Sequence, residues 1–86
     1  MHQIKFTPRG ERDFRKLPRF IQKFIKNKLL FYATQDNPLN FARPLTNLPP
    51  STHRFRIRKY RASFFIKEKI IFMEEISVRG KAYRRW

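Results

Sequence analysis

No cysteine occurs among the 86 residues. Disulfide scaffolds, cysteine-ligated zinc and thiol nucleophiles are therefore excluded. Histidine is nearly as scarce. His2 and His53 stand far apart with no acidic cluster beside either, so no metal site and no metal cofactor are expected. Acids are the third deficit: six Asp and Glu stand against 21 Lys and Arg, a formal net charge of +15 at pH 7. A surface so one-sided implies a polyanionic partner, nucleic acid first, an acidic protein second and an anionic membrane third. The opening Met1-His-Gln-Ile-Lys-Phe6 contains no apolar run, so neither a secretory leader nor a spanning helix is expected, and no membrane partner. Internal repeats and low-complexity stretches are also missing.

What is present can fold. Hydrophobic residues make up 41% of the chain, ten of them phenylalanine, enough for one modest core over residues 1–86 as a single domain. Gln3 to Thr7 alternates, with Ile4 and Phe6 on one face, and reads as a short edge strand. Thr7-Pro8 carries the signature of a helix start, and the helix is expected to run through Phe14 and Leu17 and stop before Pro18. A second helix begins at Pro18, with Phe20, Ile21, Phe24, Ile25, Leu29, Leu30 and Tyr32 along an apolar stripe. Its lysines read as a solvated face that adds to the positive field. Residues 33–51 are rich in turn residues, and Leu39, Phe41, Leu45 and Leu48 are expected to pack down as a loop without a domain boundary.

The most informative stretch is His53-Arg-Phe-Arg-Ile-Arg-Lys-Tyr60-Arg61-Ala-Ser-Phe-Phe-Ile66. Alternation puts Arg54 and Arg56 on one face of a strand and Phe55 and Ile57 on the other. Arg58-Lys59 falls where a two-residue turn belongs, which sets Ile57 opposite Tyr60 and Arg56 opposite Arg61. Two arginines directly across from one another repel, so an anion is expected between them. A three-residue turn at Lys67-Glu68-Lys69 would then set Ile66 opposite Ile70 and Arg61 opposite Glu75. In that register Ile70, Phe72, Ile76 and Val78 face the core, and Phe65, Ile71 and Met73 join the arginines on an open face. Glu74 would land in the core unless a bulge or another turn length intervenes. The expected architecture is α+β, in the order β-α-α-β-β-β: an N-terminal strand and an antiparallel helix pair on one face of a mainly antiparallel sheet.

His53-Arg-Phe-Arg-Ile-Arg-Lys-Tyr60-Arg61 resembles, without a gap, the Tyr-Arg-Ile-Arg-Val-Gly-Asp-Tyr-Arg pattern of the RelE/ParE superfamily of toxins from type II toxin–antitoxin pairs. The closing Ile76-Ser-Val-Arg-Gly-Lys-Ala-Tyr83 is similar to the end of the RelE branch. The element order agrees along almost the whole chain. The resemblance implies a ribosome-dependent endoribonuclease that cuts mRNA in the cytoplasm without a cofactor, with the ribosome, mRNA and an acidic antitoxin as partners. Matched position by position, it implies Arg54, Arg56, Arg61 and Arg79 as phosphate-holding groups and Tyr83 as the candidate base. Arg58, Lys59, Lys81, Arg84 and Arg85 are the further basic residues expected to meet RNA. Phe65, Ile71 and Met73 are the apolar groups expected under the antitoxin. Arg58-Lys59 departs from the pattern's Gly-Asp and fits poorly a turn that needs positive φ, so a longer or distorted turn is the alternative there. Two other readings share the fold or the charge: a ParE-like inhibitor of DNA gyrase, and a non-catalytic nucleic-acid-binding module.

Overall fold

The computed structural model describes residues 1–78. Five strands form one mixed sheet: β1 (Gln3–Phe6), β2 (Ala42–Pro44), β3 (His53–Ile57), β4 (Tyr60–Lys67) and β5 (Ile70–Val78). Two helices, α1 (Pro8–Arg15) and α2 (Arg19–Ala33), follow β1, and a 3-10 turn over Pro38–Phe41 precedes β2. The strand order is β1-β5-β4-β3-β2, with β1 parallel to β5 and every other pair antiparallel.

The helix pair forms as the sequence dictates. Thr7 caps α1, its hydroxyl accepting from Gly10 N–H at 3.1 Å, and Pro8 stands at the first helical position where no N–H is needed. The helix stops at Arg15 rather than reaching Leu17. There the Gln22 amide closes the inter-helix turn by donating to the carbonyls of Leu17 at 2.8 Å and Arg15 at 3.3 Å. Ile25, Leu29, Tyr32 and Ala33 of α2 are buried against the sheet. A column of rings crosses that contact, Tyr32 on Phe55 and Phe55 on Phe64, each pair stacked at 4.2 Å. Burying each such side chain stabilises the fold by roughly 1.5–3 kcal/mol.

The first hairpin has the expected register, with Ile57 opposite Tyr60 and Arg56 opposite Arg61. The Arg58-Lys59 turn keeps two residues, and Arg58 adopts φ 56° to make it. That is the position where the superfamily pattern carries glycine.

The second hairpin differs from the expected one. Its turn has two residues, Glu68 and Lys69, both at positive φ, so Ile66 faces Ile71 rather than Ile70. The register then shifts between Ser63 and Phe64, leaving Glu74 as the extra residue of a bulge: Phe64 faces Met73 and Ser63 faces Glu75. Each change flips alternation by one residue. Ile71 and Met73, expected on the open face, are therefore fully buried in the core. Ile70 and Phe72 take the open face instead, beside Phe65. Past the bulge Ile76 and Val78 return to the core side as expected, and Arg61 faces Ser77, not Glu75.

Residues 33–51 are more ordered than a loop. Pro38 is buried, Ala42–Pro44 adds a fifth strand, and Phe41 touches the rings of Phe31 and Tyr32 at 5.7 and 5.6 Å. Leu39, Phe41 and Leu48 nevertheless stay partly exposed, less packed than expected.

Candidate nucleic-acid interface

β1 ends at Phe6, opposite Met73, so the second half of β5 would present an unpaired edge. α1 covers it. Thr7 donates both its N–H, at 3.0 Å, and its hydroxyl, at 3.2 Å, to the Met73 carbonyl. Six residues further on, the Asp13 carboxylate accepts from Ile76 N–H at 3.1 Å. The approach is close enough to require glycine: a Cβ on Gly10 would lie 2.1 Å from the Met73 oxygen. α1 is thereby fixed along one rim of the open sheet face.

Between that rim and the loop after β2 lies a groove of about 650 Å³. Arg54 and Arg61 reach into it from β3 and β4, α1 adds Arg9 and Asp13, and Lys16 follows at the helix's C-cap. The spacing of those three, four and then three residues, puts them on one helix face. Leu17, Leu45 and Leu48 give the groove an apolar side. Its acids are few and engaged: Asp13 holds the β5 edge, and Glu75 pairs with Arg9 at 3.1 Å. The expected Arg61–Glu75 juxtaposition is thus replaced by Arg9–Glu75, because the bulge moves Glu75 beside Ser63. Cations outnumber acids in the lining, four to two among the described residues.

The other expected residues fall as follows. Arg56 lies on the same sheet face directly across from Arg61, solvent-exposed at the end of the hairpin and outside the groove lining. Arg58 belongs to α2 rather than the open face: its guanidinium sits 4.3 Å over the Phe24 ring. Lys59 is exposed at the hairpin tip, 5.7 Å from the Tyr60 ring. Phe65 is on the open face, stacked on Phe72 at 5.0 Å. Ile71 and Met73 cannot line that patch, since both are buried on the other side. Arg79, Lys81, Tyr83, Arg84 and Arg85 lie outside the described residues. His53 packs beside the hairpin, its Nδ1 2.9 Å from the Thr52 hydroxyl and its ring near Phe64.

Three basic residues escaped the sequence reading. Arg43 sits on β2 directly across from Arg54, extending the cationic face by one strand. A three-residue strand ending in proline carries almost no alternation to betray it. Arg9 and Lys16 could have been found from their helical spacing, had the edge position of α1 been known.

Guanidinium forks match phosphate oxygens in pairs and hold charge without losing a proton near neutral pH. The groove can therefore grip and polarise a phosphodiester, but its arginines cannot serve as the base. Two groups elsewhere are shifted. Burial lowers the His2 imidazole from its ordinary 6.5, helped by the charges of the N-terminus and Lys69, and burial raises the Tyr32 phenol above 10.0. Neither side chain lines the groove.

Solved structures share this architecture. The toxin–antitoxin complex RelBE2 of Mycobacterium tuberculosis contains a chain 23% identical, with a TM-score of 0.73 and 92% of both chains covered. The isolated RelE toxin of E. coli is 20% identical with a TM-score of 0.70, covering 99% of this chain and 98% of that one. The RelB–RelE complex of Methanococcus jannaschii matches at 15% identity and a TM-score of 0.60, covering 94% and 96%. No protein-family model matches the sequence, and no curated protein does. At these identities the likeness establishes the fold: two helices on a mixed five-stranded sheet, as in RelE toxins.

Proposed function

We propose that this chain, which has the fold of RelE toxins, is the toxin of a type II toxin–antitoxin pair and cuts mRNA on the ribosome in the cytoplasm. The observation that carries the reading is the hairpin register. It sets Arg56 against Arg61 and brings Arg54 and Arg61 into one groove where cations exceed acids. RNA brings its own nucleophile. Arg54 and Arg61 hold the scissile phosphate with the 2′-hydroxyl in line and stabilise the charge that builds on the phosphorane. Arg56 and Arg79 complete the cationic set, and Tyr83 takes the proton of the 2′-hydroxyl. The 2′-oxygen bonds to phosphorus, the 5′-oxygen leaves with a proton from water, and the products are a 2′,3′-cyclic phosphate and a 5′-hydroxyl. No metal enters this scheme.

The test is to induce the protein in bacteria and map mRNA 5′ ends. New 5′-hydroxyl ends within translated frames are expected, and Arg61→Ala should reduce them on the order of a hundredfold. Wild-type cleavage by Arg61→Ala would remove the arginines from the mechanism. An inert messenger pool together with blocked gyrase supercoiling would point to the ParE-like activity instead.

The partner proposed alongside is an acidic antitoxin. RelB accompanies the toxin in the Mycobacterium tuberculosis, E. coli and Methanococcus jannaschii complexes. Here Phe65 and Phe72 form a stacked, half-buried apolar pair on the sheet face that also carries Arg54, Arg56 and Arg61, a combination suited to an amphipathic acidic segment. Phe65→Ser with Phe72→Ser should weaken capture of the cognate antitoxin by about tenfold or more. Unchanged affinity would place the antitoxin elsewhere.

A further inference from the structure

We infer that the helix pair carries a second RNA contact, a track for single-stranded RNA leading out of the sheet groove, past Lys16 and over α2 to Phe20. The inference rests on reading the groove as an RNA site and adds a surface to it. Lys16 is the hinge of the argument. It lines the groove on one side and, on the other, a shallow depression over α1 shared with Arg12, Arg15 and the one acid there, Glu11, which is engaged by Arg15. Across the inter-helix turn, Arg19, Lys23 and Lys26 follow one another at four and three residues, a single stripe along α2. With Phe14 and Phe20 they surround a concavity of about 510 Å³.

Two features of this face are costly for a free protein. Phe20 is 74% exposed, although its neighbours Ile21, Phe24 and Ile25 all turn toward the core. Like charges stand four apart at Arg19 and Lys23 in the opening turns of α2, where the helix dipole is itself positive and no acid offsets them, an arrangement that works against that helix. Among the described residues the one ion pair on this side is Arg15 with Glu11, at 2.6 Å. None of Arg19, Lys23 and Lys26 meets an acid there.

Single-stranded RNA answers both features at once. Its phosphates match a line of cations, and an unpaired base offers a flat face to an exposed ring. Continuity selects this occupant over a separate acidic protein. A strand held by Arg54 and Arg61 leaves the groove beside Lys16, and the next cations it meets are those of α1 and α2.

The experiment measures binding without cleavage. Two labelled 2′-O-methyl oligoribonucleotides, about four and about fourteen nucleotides long, are titrated with the full-length protein by fluorescence anisotropy at several salt concentrations. The longer probe should bind at least about tenfold more tightly, with a steeper salt dependence. Phe20→Ala combined with Lys23→Ala and Lys26→Ala should erase most of that advantage and leave the short probe unaffected. The inference is overturned if the triple variant keeps the full advantage, or if it weakens both probes equally. It is also overturned if the variant changes only self-association in sedimentation, which would make the face a contact between copies. Arg61→Ala separates this claim from the groove itself. It should weaken both probes and preserve the gain with length, whereas an unaffected short probe would remove the groove reading and leave the helix contact to stand or fall on the triple variant.

Discussion

Gly10 decides more than its size suggests. It is buried at the point where α1 crosses the Met73 carbonyl, and an added Cβ would fall 2.1 Å from that oxygen and 2.9 Å from its carbon. Alanine is the better helix former by about 1 kcal/mol, yet the obstacle is backbone, which cannot swing aside as a side chain can. Gly10→Ala should therefore destabilise the fold by about 1–3 kcal/mol, seen as a lower urea midpoint. A midpoint at or above the wild type would show that α1 can lift from β5 without loss. Nothing in the sequence around Gly10 announces this role, because the partner is 63 residues away at Met73. The arginines were different. Arg54, Arg56 and Arg61 were legible because alternation and a two-residue turn are local facts, and the structure pairs Arg56 with Arg61 as that arithmetic requires. Arg43 was not, since it sits on a strand that exists only by leaning on β3.

Among the elements, the two tight turns show where local preference yields to the sheet. Glu68 and Lys69 hold φ of 53° and 63°, a conformation that costs an L-residue about 1–2 kcal/mol and belongs to Asn-Gly. Neither residue is the Gly or Asn such a turn prefers, so nothing local marks a two-residue turn over the three-residue one expected at Lys67-Glu68-Lys69. The strands decide it: a two-residue turn followed by the Glu74 bulge puts Ile71, Met73 and Ile76 all in the core. Glu68→Asn with Lys69→Gly should stabilise the protein by about 1–2 kcal/mol, raising its melting temperature. Arg58→Gly should gain less, because it also discards the guanidinium contact with Phe24, worth about 0.5–1 kcal/mol. A turn variant no more stable than wild type would mean the left-handed residues carry no strain. The helices needed no such arbitration. Thr7-Pro8 and the apolar stripe of α2 specified both of them to within two residues.

For the molecule as a whole, composition sets the excess of cations and topology explains where part of that charge collects. A +15 chain could have spread its cations evenly. The sheet gathers Arg43, Arg54, Arg56 and Arg61 on one face, α1 and its capping residue add Arg9 and Lys16 at the rim, and the helix pair carries a second group in Arg12, Arg15, Arg19, Lys23 and Lys26. The order of strands was harder to foresee. Alternation tells which residues share a face, but not that β1 would lie parallel to β5 and make it interior. That arrangement bears on how the protein is made. A ribosome that has synthesised everything through β4 has produced both outer flanks of the β5 slot and nothing to fill it. Until Ile70–Val78 emerges, Thr7 and Asp13 lack their acceptor and donor at Met73 and Ile76, and α1 has no track to lie along. The nascent polypeptide cannot set the rim of its cationic cleft against the floor before β5 emerges to join them.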